Sequence, residues 1–325
     1  MKINLAAFAL ALCVGATAGV AQASADNYPT KPVYLEVGFA PGGPTDIIAR
    51  LAAQHLGDDL GQSFIVENKA GAGGNIATNN VTKSRPDGYT GLVASINLTI
   101  NPFMTKGLSS DSPRDLAPVK ILANAPTVLV VRNDFPAANF QEFLKEVKAK
   151  PHEYNSAAHG SSPLLATILF YQQTGAQIVP VPYKGAAPAM IDLIAGHVDL
   201  SFATLGSVMP HINSGKLRTL AVAAPKRLPS MPDVPTFAEL GMEDFKFDSW
   251  VGLFLPRGVP DHAISTLEQS LDKLVASKSY QAQIAEAGFS PFESDPASFA
   301  AIIEKELVLY KELVEAAKAS EASRP

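Results

Sequence analysis

Short apolar runs of strand length alternate with helix-period patterns along most of the chain, and two of the joints that follow a run are rich in glycine. This order constrains the fold more than any other feature. Strand–helix alternation builds a mostly parallel sheet with helices on both faces, and the loops after the strand ends then line a common crevice. The first run, Val33 to Phe39, meets Ala40, Pro41, Gly42, Gly43, Pro44, Thr45 and Asp46, and a helical pattern then runs to Leu60 through Ile47, Ile48, Leu51, Ala52 and Leu56. Adjacent glycines let the backbone take a positive φ or approach a partner closely. Proline suits the first helical turn, where a missing N–H costs nothing. The free N–H groups of that turn, with the positive end of the helix dipole, form a ready anion site.

The same logic recurs. The run Phe64 to Asn68 leads into Gly71-Ala72-Gly73-Gly74-Asn75 and a helix ending near Ser84. Further on, a strand near Glu153–Ser156 enters the small-residue loop Ala157-Ala158-His159-Gly160-Ser161-Ser162, and a helix follows from Leu164 to Gln173 with serines available as caps. Ile178–Pro182 and Val198–Phe202 read as strands, with a helix over Gly185–Ala195 between them. The stretch from Ala117 to Arg132 reads as two apolar segments broken at Asn124-Ala125-Pro126, a crossing between domains. Leu217–Ala223 reads as the return. The expected fold is therefore α/β with two domains, each a mostly parallel sheet flanked by helices. Residues 26–122 plus 225–325 form a discontinuous first domain and 123–224 the second. Two crossings make a hinge, and a hinge around a cleft closes on ligands.

The 325 residues suffice for two full cores, and 47% hydrophobic with 18% charged residues is a globular balance. A net charge of −5 offers no general affinity for nucleic acid, yet backbone N–H groups can hold an anion without lysine or arginine. The first residues, 1–25, read as a signal peptide. Lys2 is the positive end, Ile3 to Val20 the apolar run, and cleavage is expected near Ala23 or Ala25. The only cysteine, Cys13, falls inside it, so the mature chain has no disulfide or thiol chemistry. The expected location is the periplasm.

Enzyme patterns are weak. The six histidines (55, 152, 159, 197, 211 and 262) are scattered without metal-ligand spacing, and no G-x-S-x-G elbow occurs. Gly42-Gly43 lacks dinucleotide spacing, Ile76 spoils the same fingerprint in the second turn, and neither turn ends in Gly-Lys-Ser/Thr. No metal and no cofactor is expected.

At several places the sequence resembles the Bug-type, or tripartite tricarboxylate transporter, substrate-binding receptors. The matching pieces are Phe39 to Asp46 before Ala49-Arg50, Val66 to Gly74, Arg85 to Thr90, and Val181 to Gly185. Gly215 to Arg218 before Leu220-Ala221-Val222, Pro232 to Thr236, and Ser249 to Phe254 complete the set. Each piece is weak alone; in order, over nearly the whole mature chain, they are specific. The resemblance implies a Venus-flytrap fold similar to type II periplasmic binding proteins. It implies capture of a small carboxylate (a dicarboxylate, tricarboxylate, aromatic carboxylate or acidic amino acid) and delivery to membrane transporter subunits. The family grips the carboxylate between two loops, largely through backbone N–H groups and water. Here these are Ala40–Asp46 and Ser156–Ser162. The chain departs from the family's second loop: Ala158 stands at the first glycine position and Leu164 about where a histidine is expected.

The expected ligand contacts are Phe39, Ala40, Pro41, Gly42, Gly43, Thr45 and Asp46 in the first loop and Asn75 in the Gly-rich turn. The second domain contributes Ser156, His159, Gly160, Ser161, Ser162, Tyr183, Lys184 and Thr204. Each has a plainer reading. Asp46 complements a helix dipole, the serines cap a helix, a loop histidine is solvated, and Lys184 is a surface lysine. Trp250 reads as packing. Two other functions stay open on sequence alone: an exported hydrolase or isomerase using a Ser or His of the cleft, and a receptor that signals to a sensor.

Overall fold

The computed structural model describes residues 28–322 except 105–111, 225, 229, 244 and 246. The expected signal peptide lies outside the described residues. The first strand, β1 (Val33–Val37), is buried at every position but Tyr34. The helix α1 (Pro44–Leu60) lays Ile48, Ala49, Ala52, Ala53 and Leu56 on the core, a stripe at helical spacing. It stops at Gly61, whose φ of +69° turns the chain while its N–H closes on the Gly57 carbonyl at 3.0 Å.

Two five-stranded sheets share one long strand, β4 (Leu116–Arg132). In the first sheet, β2 (Phe64–Asn68), β1 and β3 (Thr90–Ser95) run parallel, β9 (Asp248–Pro256) lies antiparallel beside β3, and the first half of β4 pairs with β9. In the second sheet the order is β6 (Val179–Pro182), β5 (Asn155–Ala158), β7 (Leu200–Thr204), the second half of β4, and β8 (Leu217–Ala223). Each sheet thus has one strand opposed to the other four, β9 in the first and β4 in the second.

The crossing is sharper than the sequence suggests. Pro126 pairs with Asp248 of β9, while Thr127 already pairs with Thr204 and Ala223. The chain does not break at Asn124-Ala125-Pro126. As an edge strand of the first sheet, β4 loses no needed ladder bond to Pro118 or Pro126. The run Leu217–Ala223 does not return to the first sheet: β8 pairs with β4 in the second, and Asp248 begins the return.

Helices cover both sheets. They are α2 (Asn75–Thr82), α3 (Asn97–Met104), α4 (Phe140–Ala149), α5 (Ser161–Thr174), α6 (Ala186–Ala195) and α7 (Leu205–Asn213), followed by α8 (Asp261–Ala276), α9 (Lys278–Glu286) and α10 (Pro296–Ala322). An aromatic cluster of Phe140, Phe143, Phe170, Phe202, Phe237 and Phe245 fills the second core, with Phe237 and Phe245 centroids 4.1 Å apart. Phe299, Ile303 and Leu307 of α10 join the first sheet's core beside Trp250, while Tyr310 and Val314 join the second's. Trp250 is buried, and its indole N–H donates to Glu306 at 2.8 Å. Among the described residues, no helix is long and apolar enough to cross a membrane.

Candidate functional site

A cavity lies where β4 passes from one sheet to the other. Phe39 and the start of α1 (Gly43, Pro44 and Thr45) form one wall. Ser95, Ile96 and Asn97 carry it from β3 into α3, and Ser249 and Val251 of β9 close its floor. Across from them stand Thr127 of β4, Phe202 and Thr204 of β7, and the helix starts His159, Ser162, Pro163 and Ala186. The free volume is about 30 Å³, room for about two waters, so a larger guest enters only if the walls part.

The first loop is shaped by Asp46. Its carboxylate accepts from the Gly42 N–H at 2.9 Å, from Arg50 Nε at 3.0 Å and from Asn68 Nδ2 at 2.8 Å. Burial raises its pKa, but the hydrogen bonds from Arg50, Gly42 and Asn68, with the Arg50 charge, outweigh this and hold the carboxyl below the usual range. The N-cap of α1 brings no side-chain acceptor: Gly43, at φ −84° and ψ 170°, has no side chain to offer the helix N–H groups, and Pro44 follows it. The N-terminal end of α1 therefore borders the cavity with free amide donors.

The second helix start differs. Gly160 precedes α5 at φ +106°, and no side chain of its own segment caps the helix. Asn97, from α3 across the cavity, does so: its Oδ1 accepts from the Ser162 N–H and the Ser161 hydroxyl, each at 2.9 Å. Its Nδ2 donates to Ser95 Oγ at 3.0 Å, which fixes the carboxamide's orientation. A Cβ on Gly160 would stand 2.7 Å from that Oδ1, so only glycine admits the contact.

His159 is neither exposed nor charged at neutral pH. It is 7% exposed, burial drives its pKa down to about 4, and its Nδ1 is buried with no partner. Among the described residues, the cavity lining holds no lysine, arginine, aspartate or glutamate.

Of the residues expected at the site, Phe39, Gly43, Thr45, His159, Ser162 and Thr204 come together on the cavity. Ala40, Pro41, Gly42 and Asp46 form the loop behind it. Pro41 and Gly42 are exposed, and Ala40 packs against the segment at Gly185. Gly160 and Ser161 do not line the cavity: Ser161 bonds Asn97, and Gly160 packs against Asn97 and Phe39. Ser156 is buried behind the wall, sharing a hydrogen bond with Thr167 at 3.2 Å. Asn75 lies elsewhere: with Asn101, whose Nδ2 reaches Asn75 Oδ1 at 2.5 Å and the Gly73 carbonyl at 2.9 Å, it ties down the second Gly-rich turn. That turn packs so closely on β1's end that a Cβ on Gly38 would fall 2.5 Å from Gly74 Cα. Tyr183 donates to Asp192 at 2.7 Å, with its pKa pushed up to about 12 by burial and that carboxylate, and Lys184 is exposed.

Sequence reasoning missed Ser95, Ile96, Asn97 and Thr127, and also Pro163, Ala186, Phe202, Ser249 and Val251. Ser249 and Val251 belong to the Ser249-to-Phe254 stretch that resembles the family, a usable signal. Thr127 and Phe202 lie inside strands, where only pairing register tells which side chains reach the cavity.

Residues 48–318 match the family described as tripartite tricarboxylate transporter family receptor. Protein BugT of Bordetella pertussis is 38% identical over 286 residues, covering 86% of this chain and 88% of that one. A solved R. palustris protein with adipate is 32% identical with a TM-score of 0.85, covering 90% of this chain and 98% of that one. MatC from Rhodopseudomonas palustris, with bound malate, is 29% identical with a TM-score of 0.84, covering 88% of this chain and all (100%) of that one. These overlaps give the chain the two-domain fold of periplasmic binding proteins. The family is one of solute-binding receptors and not of enzymes. The chain belongs to the tripartite tricarboxylate transporter receptor family.

Proposed function

We propose that the chain captures a small carboxylate in the cleft between its two lobes and hands it to membrane transporter subunits, working in the periplasm after cleavage near Ala23 or Ala25. The lobes are 26–122 plus 225–325 and 123–224, with the chain around Phe237–Phe247 and the end of α10 riding on the second core. The observation that carries this reading is the uncapped start of α1, with Gly43, Pro44 and Thr45 bordering a cavity that both sheets line. Amide donors there can take carboxylate oxygens without a counter-charge, and closure strengthens those bonds by excluding water. The malate and adipate bound by relatives support carboxylates as the ligand class. The ligand favours the closed form because each lobe supplies part of the grip.

Isothermal titration with a panel of mono-, di- and tricarboxylates, aromatic carboxylates and amino acids tests it. At least one carboxylate should bind with a stoichiometry of about one. No heat across the panel, with no acid retained in native mass spectrometry of the purified protein, would sink it.

A further inference from the structure

Among the described residues lining the cavity, His159 is the one side chain whose charge can change near neutral pH. The others bring hydroxyls, one carboxamide or apolar surface. His159 is 7% exposed, and its Nδ1 is buried without a hydrogen-bond partner. An unpaired buried polar atom is costly, and on a cavity wall it marks a place that a guest can complete.

The elements around the ring hold charges, but each is engaged elsewhere or exposed. The strand and helix that flank it, β5 and α5, carry none. Behind the start of α1, Asp46 is taken by Arg50, Asn68 and the Gly42 N–H. Behind α3 and β9, Glu306 accepts from Thr99 and Trp250. On α6, Asp192 is taken by Tyr183 and His197, and Lys184 ahead of that helix is exposed. At the far end of β4, Arg132 pairs with Asp199, which precedes β7. Burial alone lowers the pKa of His159, to about 4, and none of these charges contributes.

A carboxylate changes this balance. The start of α1 and the loop of His159 border the same small space, so a single carboxylate gripped between them lies beside the imidazole. The α1 donors meet its oxygens with the partial charge of a helix end, about half an elementary charge. An anion at about 4–6 Å raises the pKa of an imidazole by about 1–3. Once protonated, the ring has a hydrogen on both nitrogens, so Nδ1 becomes a donor and its bond to a carboxylate is charge-assisted.

We infer that His159 is the charge partner of the ligand's carboxylate: the gripped acid draws a proton from solvent onto the imidazole, and each capture takes one proton into the cleft. The proton leaves when the acid is released. This rests on the receptor reading above and deepens it. The complex holds more protons than the free protein, so affinity rises as pH falls from the ring's pKa in the complex to its pKa in the free chain.

The test is an NMR titration of the histidine rings in the mature protein, alone and saturated with whichever of malate, adipate, benzoate and glutamate binds. The His159 signal is the one missing from His159→Asn. It should titrate at least about one pH unit higher in the complex, each unit corresponding to about a tenfold gain in affinity. Calorimetry at a pH midway between the two values, in buffers of different ionisation heat, should count at least about half a proton taken up per acid bound. His159→Asn should abolish that uptake. If the variant does not fold, the ring is assigned through its own backbone in wild-type protein, and the titration and proton count need no variant. A ring that titrates no higher in the complex, or binding without proton uptake, overturns the inference and leaves the receptor reading standing. Silence from these four acids and from the rest of the panel overturns the receptor reading, and this inference with it.

Discussion

Asn97 Oδ1 lies 2.9 Å from the Ser162 amide nitrogen, so a side chain from the first sheet's lobe terminates a helix of the second. Two buried donors, the Ser162 N–H and the Ser161 hydroxyl, depend on this one oxygen. Asn97→Ala leaves both unsatisfied, and the expected cost is about 1–3 kcal/mol. Thermal unfolding of the ligand-free protein measures it. A melting temperature equal to wild type would mean that the bridge does not hold the lobes in solution.

Gly160 tests the same contact from the other side. Alanine there meets both an unfavourable φ of +106° and a Cβ 2.7 Å from Asn97 Oδ1. At Gly196, φ is +79° and a Cβ would have nothing within 4 Å. Backbone strain alone costs about 1–3 kcal/mol at such positions. Gly160→Ala should therefore destabilise more than Gly196→Ala in denaturant melts. Equal losses would mean that the segment at Gly160 moves away from Asn97 at no cost.

His159 imposes a pH dependence on stability. Its folded pKa is lowered from 6.5 to about 4 by burial, so between these values the unfolded chain binds a proton that the folded chain does not. The stabilisation is complete above the unfolded value and is lost as pH falls through this window, by about 3 kcal/mol in all. His159→Phe should remove that slope. The quantity to plot is the difference in unfolding free energy between wild type and variant against pH. A flat difference from pH 7 to 4 would mean that the ring takes up its proton as readily in the folded chain as in the unfolded one.

Lys184 supplies a negative control. It is exposed, and the cavity is lined without it. Lys184→Ala should leave the dissociation constant within about twofold, since a distant exposed charge is screened by salt. A tenfold loss at physiological ionic strength would mean that the ligand extends beyond the cavity.

The sequence carried much of this fold because the information is local. The run Val33 to Val37, Gly42-Gly43 and Pro44 mark a strand, a turn and a helix start within a dozen residues, and the structure has all three there. Leu217–Ala223 falls inside the expected second domain, 123–224, and lies on β4 in the second sheet; it does not make the return crossing, because an apolar run carries no mark of its partner. The cavity was half legible for the same reason. Gly43 and Thr45 belong to a readable turn, whereas Asn97 acts on residues 64 and 65 positions away and Thr127 is placed by strand register. His159 shows the limit most plainly: its loop is legible, but its burial depends on the opposite wall.

The most direct measurement is calorimetry of one carboxylate, the tightest found in the panel, into wild-type protein and into Gly43→Val. Gly43 has an extended φ of −84°, and a Cβ there meets only the Ala40 carbonyl at 3.6 Å and Ala186 Cβ at 3.9 Å, so the variant should fold. Its branched side chain would crowd the start of α1 where the carboxylate is held. The expected result is binding to wild type and none to the variant, with both melting cooperatively. Undiminished affinity in Gly43→Val would contradict a carboxylate held at the start of α1.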